Sequence, residues 1–179
     1  MILISIISGI LFWTFIEYIL HRFLGHVHKG NNFFKSEHKL HHSIFDYFAP
    51  IHKKSLAALI VIIILTLLTF LFIPTFLIPI PLSFIGGFFS MYILYEITHY
   101  RYHSNPPLSR YLIFLRKHHL YHHFHNPKMN YGVTTRIWDR VFGTIKKVDK
   151  VKMPKIVKLR WLIDGDRIKK EYKSHFFIK

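Results

Sequence analysis

Three long apolar stretches constrain the fold of this chain more than any other feature of its sequence. They run from Met1 to about Leu20, from about Ser55 to Ile73, and from about Pro81 to Thr98. Each is close to the roughly 20 residues that a helix needs to cross the hydrocarbon core of a bilayer. Several prolines interrupt the short gap between the second and third stretches, which is typical of a tight turn between helices. The pattern predicts one membrane-spanning helix followed by a helical hairpin.

Two other interpretations of these stretches are weaker. The first stretch could be a signal peptide, but no basic residue precedes it, and Glu17 and Tyr18 stand where cleavage would be expected. The second and third could form the core of a soluble protein, but a chain of 179 residues offers little else to cover two such helices. We therefore expect an integral membrane protein.

The charged residues are confined to the segments between and after the apolar stretches. All 25 lysines and arginines lie in residues 22–54 or 101–179, and the formal net charge is +16. One span followed by a hairpin places both blocks on the same side of the membrane, and the positive-inside rule makes that side cytoplasmic. Such a charge is also common in nucleic-acid-binding proteins, but the three spans argue against that interpretation. The 15 histidines lie in the same blocks or at their edges.

The histidines form four clusters, and their spacing suits helices. Because positions i, i+3 and i+4 of a helix share a face, the HxxHH clusters should each direct three imidazoles one way. The first cluster is different, since its two histidines are five residues apart and Gly25 between them favours a helix end. The clusters are His21-Arg-Phe-Leu-Gly-His26, His38-Lys-Leu-His41-His42, His99-Tyr-Arg-Tyr-His103 and His118-His119-Leu-Tyr-His122-His123.

So many imidazoles on one face of a membrane indicate metal binding rather than a basic surface. Imidazole binds iron, zinc, copper and nickel, and ten imidazoles suit two ions better than one. The chain has no cysteine, which excludes Cys-ligated zinc and iron–sulfur clusters. Acidic residues are scarce, yet Glu17 precedes His21 by one turn and Glu96 precedes His99 by three residues. We expect these carboxylates, and less clearly Asp46, to accept the free N–H of a ligating imidazole.

The motifs HRFLGH, HKLHH, HYRYH and HHLYHH, in this order and interrupted by a hydrophobic hairpin, resemble the fatty acid hydroxylase superfamily. The run from Asn130 to Thr144 is similar to the stretch that follows the last histidine cluster in that superfamily, and the resemblance covers roughly residues 12–145. Its fatty acid 2-hydroxylases are the most similar branch. The resemblance implies ten metal ligands: His21, His26, His38, His41, His42, His99, His103, His119, His122 and His123.

The resemblance also implies two iron ions, O2 as co-substrate and a lipid substrate drawn from the membrane. Zinc would fill the same site but cannot change oxidation state, so a zinc form should be inactive. Tyr95 and Glu96 are the candidate catalytic residues. His118 and Asp139 are expected beside the metal ligands, although His118 also leaves the register of its own cluster open. A separate electron donor, such as cytochrome b5 or a ferredoxin with its reductase, is implied because the chain carries no cytochrome domain.

These expectations define one architecture and several competing functions. The chain should be an all-α integral membrane protein whose three spans lie under a cytoplasmic helical cap that carries the histidine-rich di-metal site. Residues 1–145 should form the membrane-embedded domain, and residues 146–179 a basic segment that lies on the anionic leaflet or binds an acidic electron carrier. A carotenoid ring hydroxylase, a sterol or lipid desaturase and a non-enzymatic membrane metal-binding protein are the alternatives. A bacterial inner membrane is the expected location.

Overall fold

Six α-helices make up most of the computed structural model, which describes residues 1–157 and 159–178. A π-helix extends the first helix without a break, and 3-10 turns follow the third helix and precede the last strand. The helices are α1 (Ile2–Ile19), the π-helix (Leu20–Val27), α2 (Phe33–Ser43), α3 (Ile51–Phe72), α4 (Pro79–Ser104), α5 (Arg110–Phe124) and α6 (Ile137–Val141).

Three continuous helical segments are long and apolar enough to cross a membrane: Ile2–Val27, Ile51–Phe72 and Thr75–Ser104. This finding confirms the predicted number of spans and the membrane-protein class. The structure begins the second span earlier than predicted and extends the third at both ends, so that α3 includes Lys54 and α4 includes His103. Most side chains of α3 are exposed, as expected for a helix whose surroundings are lipid. The side of the membrane on which the histidines lie remains a prediction.

Helices α1 and α4 pack closely because glycines meet backbone at their crossing. A Cβ atom on Gly9 would lie 2.2 Å from the Phe84 carbonyl oxygen, and one on Gly87 would lie 2.2 Å from the Ile6 carbonyl oxygen. Small residues at such positions let two helix backbones approach within a bilayer. Since α1 continues into the π-helix and α4 ends at a histidine cluster, this crossing sets the distance between those two elements.

The helices at the histidine-bearing end begin at residues that cap them. The Asn32 side chain accepts a hydrogen bond from the Lys35 backbone N–H at 2.8 Å, which fixes the start of α2. Ser109 caps α5 in the same way, with the Leu112 N–H 3.2 Å from its hydroxyl oxygen. Helix α2 bridges the π-helix and the start of α3, so its histidines lie between those of the other elements.

The C-terminal residues contain short strands, which corrects the all-α prediction. Strand β1 (Val151–Met153) pairs in parallel with β4 (Phe176–Ile178), while β2 (Ile163–Asp164) and β3 (Arg167–Ile168) form an antiparallel hairpin. Gly165 supplies the positive φ of 57° that this hairpin turn requires. Apolar side chains of this segment pack on α5. The buried cluster consists of Ile113, Leu120, Val151, Met153, Val157, Leu159, Trp161, Leu162, Ile168 and Phe176.

Candidate metal centre

Ten imidazoles converge in two groups of five at the end of the molecule where α1 runs into the π-helix. Within each group one nitrogen from every ring lies within 4.8 Å of all the others. Nitrogens that ligate a single ion at about 2.1 Å lie at most about 4.2 Å apart, so no nitrogen pair in either group exceeds that limit by more than about 0.6 Å. The first group contains His21, His26, His38, His42 and His122, and the second contains His41, His99, His103, His119 and His123.

The π-helix explains how His21 and His26 join the same group. An α-helix would place residues five apart at about 140° around its axis, whereas the i→i+5 pattern of a π-helix returns the fifth residue to the same face. The two ring centroids lie 5.3 Å apart. The helix continues through Gly25 and does not end there as predicted. The buried Gly25 faces His38, because a Cβ atom there would lie 2.9 Å from His38 Cδ2.

Each HxxHH cluster supplies both groups, contrary to the expectation that its three imidazoles point one way. From α2, His38 and His42 join the first group while His41 joins the second. From α5, His122 joins the first group while His119 and His123 join the second. The reason is that α2 and α5 each lie between the two groups. Neighbouring histidines on the same face of either helix therefore reach different groups.

Four of the ten imidazoles are held by backbone carbonyls. In the first group, Nδ1 of His21 lies 2.5 Å from the Tyr131 oxygen and Nδ1 of His122 lies 2.8 Å from the Met129 oxygen. A carbonyl oxygen can only accept a hydrogen bond, so each Nδ1 must carry the proton and each Nε2 must present a lone pair. Such fixed tautomers are typical of metal-ligating histidines.

The second group has the same arrangement. Nδ1 of His41 donates to the Tyr47 oxygen at 2.7 Å, and Nδ1 of His103 donates to the Phe45 oxygen at 2.8 Å. None of the four carbonyls could be identified from side-chain patterns, because any residue supplies the same oxygen. Only their placement in the turn after α2 and in the loop after α5 brings them to the imidazoles.

The contacts between Nε2 atoms cannot all be hydrogen bonds. In the first group His26 Nε2 lies 2.8 Å from His38 Nε2 and 3.0 Å from His122 Nε2, which lies 3.2 Å from His42 Nε2. Because His122 Nε2 only accepts, His26 would have to donate to it, and His26 could then not accept from His38. Lone pairs directed at a shared cation remove this conflict. The buried Nε2 of His21, which has no hydrogen-bond partner among the described residues, fits the same explanation.

Burial keeps these imidazoles neutral, which is the form that binds metal. Desolvation lowers the pKa of His41 to about 4 and that of His42 to about 3. It is also the largest cause that holds the pKa of His38, His119, His122 and His123 well below the usual histidine range. The donor set, its tautomers and its protonation state therefore fit two metal ions.

Glu17 and Asp139 are buried, but each contacts the loop after α5 rather than a histidine of the two groups. Glu17 accepts hydrogen bonds from the Val133 N–H at 2.6 Å, the Thr134 N–H at 3.2 Å and the Thr134 hydroxyl. This corrects the expectation that Glu17 accepts from His21, whose Nδ1 proton goes to the Tyr131 oxygen instead. The physical reason is that donors of the loop already occupy both carboxylate oxygens of Glu17, so neither oxygen is directed at the imidazole.

Asp139 holds the same loop from its other side. It accepts from the Tyr131 and Gly132 N–H groups, both at 2.8 Å, and from the Thr144 hydroxyl at 2.7 Å. Its remaining contact is with His118, whose Nε2 lies 2.9 Å from the carboxylate. His118 therefore turns away from both groups. The sequence left open whether His118 or His119 is the ligand, and in the structure it is His119 that joins the second group.

The other two predicted carboxylates do not contact the histidine groups. Asp46 is exposed and makes no hydrogen bond to a histidine within the described parts of the chain. Glu96 forms an ion pair with Lys54 across the gap between α3 and α4, which corrects its expected hydrogen bond to His99. The sequence did not predict a role for Lys54, because nothing in its local pattern distinguishes it from the other basic residues.

A cavity of about 460 Å³ leads from the histidines into the space between the three spans. His21 and His38 of the first group and His41 and His99 of the second form its inner end. Aromatic and aliphatic side chains of α1, α3 and α4 line its length, and a polar rim surrounds the histidine end. The apolar lining includes Trp13, Ile16, Leu20, Val61, Phe88, Phe89, Tyr92 and Tyr95, and the rim includes Glu37, Lys53, Lys54 and Glu96.

Comparison with known proteins shows which family and which characterised sequences this chain is similar to. The family model for fatty acid hydroxylase matches residues 6–144. The chain is 34% identical over 142 residues to a dihydroceramide fatty acyl 2-hydroxylase of Arabidopsis thaliana, covering 76% of this chain and 58% of that one. It is 33% identical over 147 residues to the fatty acid 2-hydroxylase of Mus musculus, covering 78% and 38% of the two chains.

One solved structure is also similar. Its description is full-length scs7p, with only the hydroxylase domain visible, and it superposes with a TM-score of 0.59 at 29% identity. The match covers 81% of this chain and 57% of that one. The chain therefore spans less than two thirds of each of these relatives.

Proposed function

Because the chain belongs to the fatty acid hydroxylase family, we propose that it hydroxylates a C–H bond of a membrane lipid's acyl chain. The supporting observation is the apolar cavity that joins both histidine groups to the interior of the membrane spans. An acyl chain can enter this cavity laterally from the bilayer, and its reacting carbon then lies beside both groups. The plant and mouse relatives are named as a dihydroceramide fatty acyl 2-hydroxylase and a fatty acid 2-hydroxylase, which agrees with this proposal.

The geometry favours reaction near the polar end of the chain. The histidines lie at the same end of the cavity as the polar rim, while the walls further from them are apolar. A lipid whose head lies at the rim and whose tail lies between the spans therefore presents a carbon close to its head group. This arrangement suits C2 of an acyl chain, and it argues against a desaturase acting at the middle of a chain.

We propose two iron ions, one for each group of five imidazoles. Iron held there would supply O2 activation and a two-electron oxidation, which zinc cannot provide because it does not change oxidation state. The overall reaction is RH + O2 + 2e⁻ + 2H⁺ → ROH + H2O. The two electrons come from a separate donor such as cytochrome b5 or a ferredoxin with its reductase, and we expect that donor at the cytoplasmic face.

The protein's own residues bind and orient the lipid. Tyr95 packs against His99 and Trp13, with ring centroids 5.5 Å and 5.8 Å away, so it closes the cavity wall next to the second group. Glu96 lies one residue further along α4 and also faces the cavity. We propose both as substrate-contacting residues in the catalytic centre. Phe88 and Phe89 line the walls further along α4 and keep water from the acyl chain.

Lipid mass spectrometry tests the proposal directly. Cells that express the protein are grown under ¹⁸O2, and acyl chains are analysed for an added oxygen atom, with the His41→Ala, His122→Ala double variant as control. We expect ¹⁸O at C2 of an acyl chain only with the wild-type protein. A new double bond, a hydroxylated carotenoid or a modified sterol would instead identify one of the alternative activities. Bound metal without any lipid product would favour a membrane metal-binding protein.

A further inference from the structure

A second cavity, of about 270 Å³, lies on the side of α4 that faces away from the first cavity. Its lining residues on α4 follow one another at intervals of three or four and form one stripe along the helix: Met91, Leu94, Thr98 and Arg101. The residues of α4 that line the first cavity, such as Glu96, lie on the opposite face. The other wall consists mainly of α5 and the residues just before it, so we call this cavity the α4–α5 cleft.

Most of the length of the α4–α5 cleft faces the bilayer. Leu94 and Ile97 are 51% and 52% exposed, although they belong to a helix that is long and apolar enough to span the membrane. Met91 and Arg101 are ten residues apart, which corresponds to about 15 Å along the helix. The hydrocarbon core of a bilayer is about 30 Å thick, so this stripe matches one leaflet. An acyl chain can lie along it with its head group beside Arg101.

The two arginines that line the α4–α5 cleft have no acidic partner. The half-buried Arg101 side chain makes no hydrogen bond or ion pair with any residue that the structure describes. Arg116 of α5 is only 1% exposed, and its Nη2 donates to the Arg101 carbonyl oxygen at 2.8 Å. The Nε and Nη1 atoms of Arg116 have no hydrogen-bond partner within the described ranges of the chain. Positive charge at this end of the cleft is therefore uncompensated.

Aromatic rings cover Arg116 without neutralising it. Its guanidinium carbon lies 4.3 Å from the Trp161 ring centroid and 5.6 Å from that of Tyr102. Such rings attract a cation through their faces, but they bring no negative charge. Burial lowers the pKa of Arg116 to about 10, so the side chain stays charged at neutral pH, and Arg101 beside it has the same sign of charge. Because a buried charge is unfavourable without a counter-ion, the cleft favours an anion.

We propose that the α4–α5 cleft binds an anionic phospholipid, whose phosphate accepts hydrogen bonds from Arg101 and one of whose acyl chains lies along Leu94 and Ile97. Arg116 is enclosed behind the wall of the cleft, so it contributes its charge and makes no direct contact. A guanidinium group suits this ligand because its paired N–H donors match two phosphate oxygens. The lipid is separate from the substrate, since α4 lies between the two cavities. It would join α4 to α5, which both carry histidines of the second group.

Native mass spectrometry of the detergent-purified protein measures this binding. The probes are phosphatidylglycerol and phosphatidylcholine with the same oleoyl chains, so that they differ in head group and net charge alone. An equimolar mixture is added, and the lipids that stay bound at rising collision energy are counted. A separate titration with inorganic phosphate shows whether an anion without acyl chains displaces the bound lipid.

We expect one phosphatidylglycerol per chain, bound about fivefold more tightly than phosphatidylcholine. Arg101→Gln should weaken the binding of phosphatidylglycerol about tenfold, because it removes the charged donor. Arg140→Gln is the matched control, since Arg140 is an exposed arginine that does not line the cleft. It should leave the binding of both lipids unchanged.

Leu94→Trp tests the acyl-chain part of the site without changing any charge. The larger side chain would occupy the stripe on α4, so phosphatidylglycerol should bind about fivefold more weakly or less. Ile93→Trp is its control, because Ile93 is 57% exposed and lines neither cavity. Both positions are exposed, so neither substitution should disturb the packing of α4.

Three results would overturn the inference. Equal binding of the two lipids would refute a site for an anionic head group. Unchanged binding in Arg101→Gln or in Leu94→Trp would show that the lipid lies elsewhere on the protein. Displacement of the lipid by millimolar inorganic phosphate would show that the cleft takes a free anion and needs no acyl chain. The proposed hydroxylation would stand in each case, because the histidine groups and the first cavity lie on the other face of α4.

Discussion

The two histidine groups contain five imidazoles each, but the chain supports them differently. In the first group, His21 and His122 donate to carbonyls of residues 129–131, a loop that two buried carboxylates hold in place. In the second group, His41 and His103 donate to carbonyls of residues 45–47, in the turn directly after α2. The first group therefore depends on contacts between distant parts of the chain, and the second depends more on one short turn.

Burial differs between the groups as well. Three imidazoles of the first group are half-buried, namely His26, His38 and His42, and the second group has two such imidazoles, His99 and His123. The first group is also the one that includes the π-helix. Two sites with five imidazoles each can therefore differ in metal affinity, because different parts of the chain orient the ligands.

Removing one histidine from each group should have the largest effect. His122→Ala should lose the ion of the first group, His41→Ala that of the second, and the double variant both, while each variant should lose lipid hydroxylation. Elemental analysis of detergent-purified protein measures the metal per chain, against two sites in the wild type. If either single variant kept its full metal content, the division into two groups would be wrong.

Asp139→Asn should weaken only the first group. In the wild type the Asp139 carboxylate accepts hydrogen bonds from the Tyr131 and Gly132 N–H groups. The amide nitrogen of asparagine cannot accept such a bond, so the loop that presents the Tyr131 oxygen to His21 would shift. Changes in residues that orient metal ligands typically cost about 10- to 100-fold in affinity. Competition with a chelator measures this change, and Asp164→Asn, at an exposed aspartate, is the control. Equal weakening of both sites would refute the separate support of the two groups.

Gly87→Ala should disturb the spacing between the groups. The new methyl group would lie 2.2 Å from the Ile6 carbonyl oxygen, so α1 and α4 would have to separate. Overpacking of this kind costs about 1–3 kcal/mol, and thermal unfolding in detergent measures it. Gly86→Ala is the matched control, because a Cβ atom there meets nothing within 4 Å. A similar loss of stability in both variants would show that the crossing is not specifically responsible.

The smallest expected effect is a difference in metal exchange. Since the first group is less buried, its ion should pass to a chelator a few times faster than the ion of the second group. The single variants provide the comparison, because His41→Ala retains only the first group and His122→Ala only the second. Faster release from the second group would reverse the order that burial predicts.

The sequence allowed correct predictions where the information is local. Apolar stretches of span length gave the three membrane helices, and the recurring histidine motifs led to the correct family. The predicted partners of Glu17 and Glu96 were wrong, because spacing along a helix shows which side chains are near and not which donors fill a carboxylate. The short C-terminal strands were missed as well, since each has only two or three residues.

The amino-acid sequence by itself determined the membrane spans, the clustering of imidazoles at one end and the type of chemistry that such a ligand set permits. Tertiary structure decided how the ten imidazoles divide into two groups, which carbonyls fix their tautomers and which ion pair faces the substrate cavity. The physical reason is that hydropathy and helical spacing act within one segment. Backbone carbonyls and opposite charges from separate segments meet only after those segments pack.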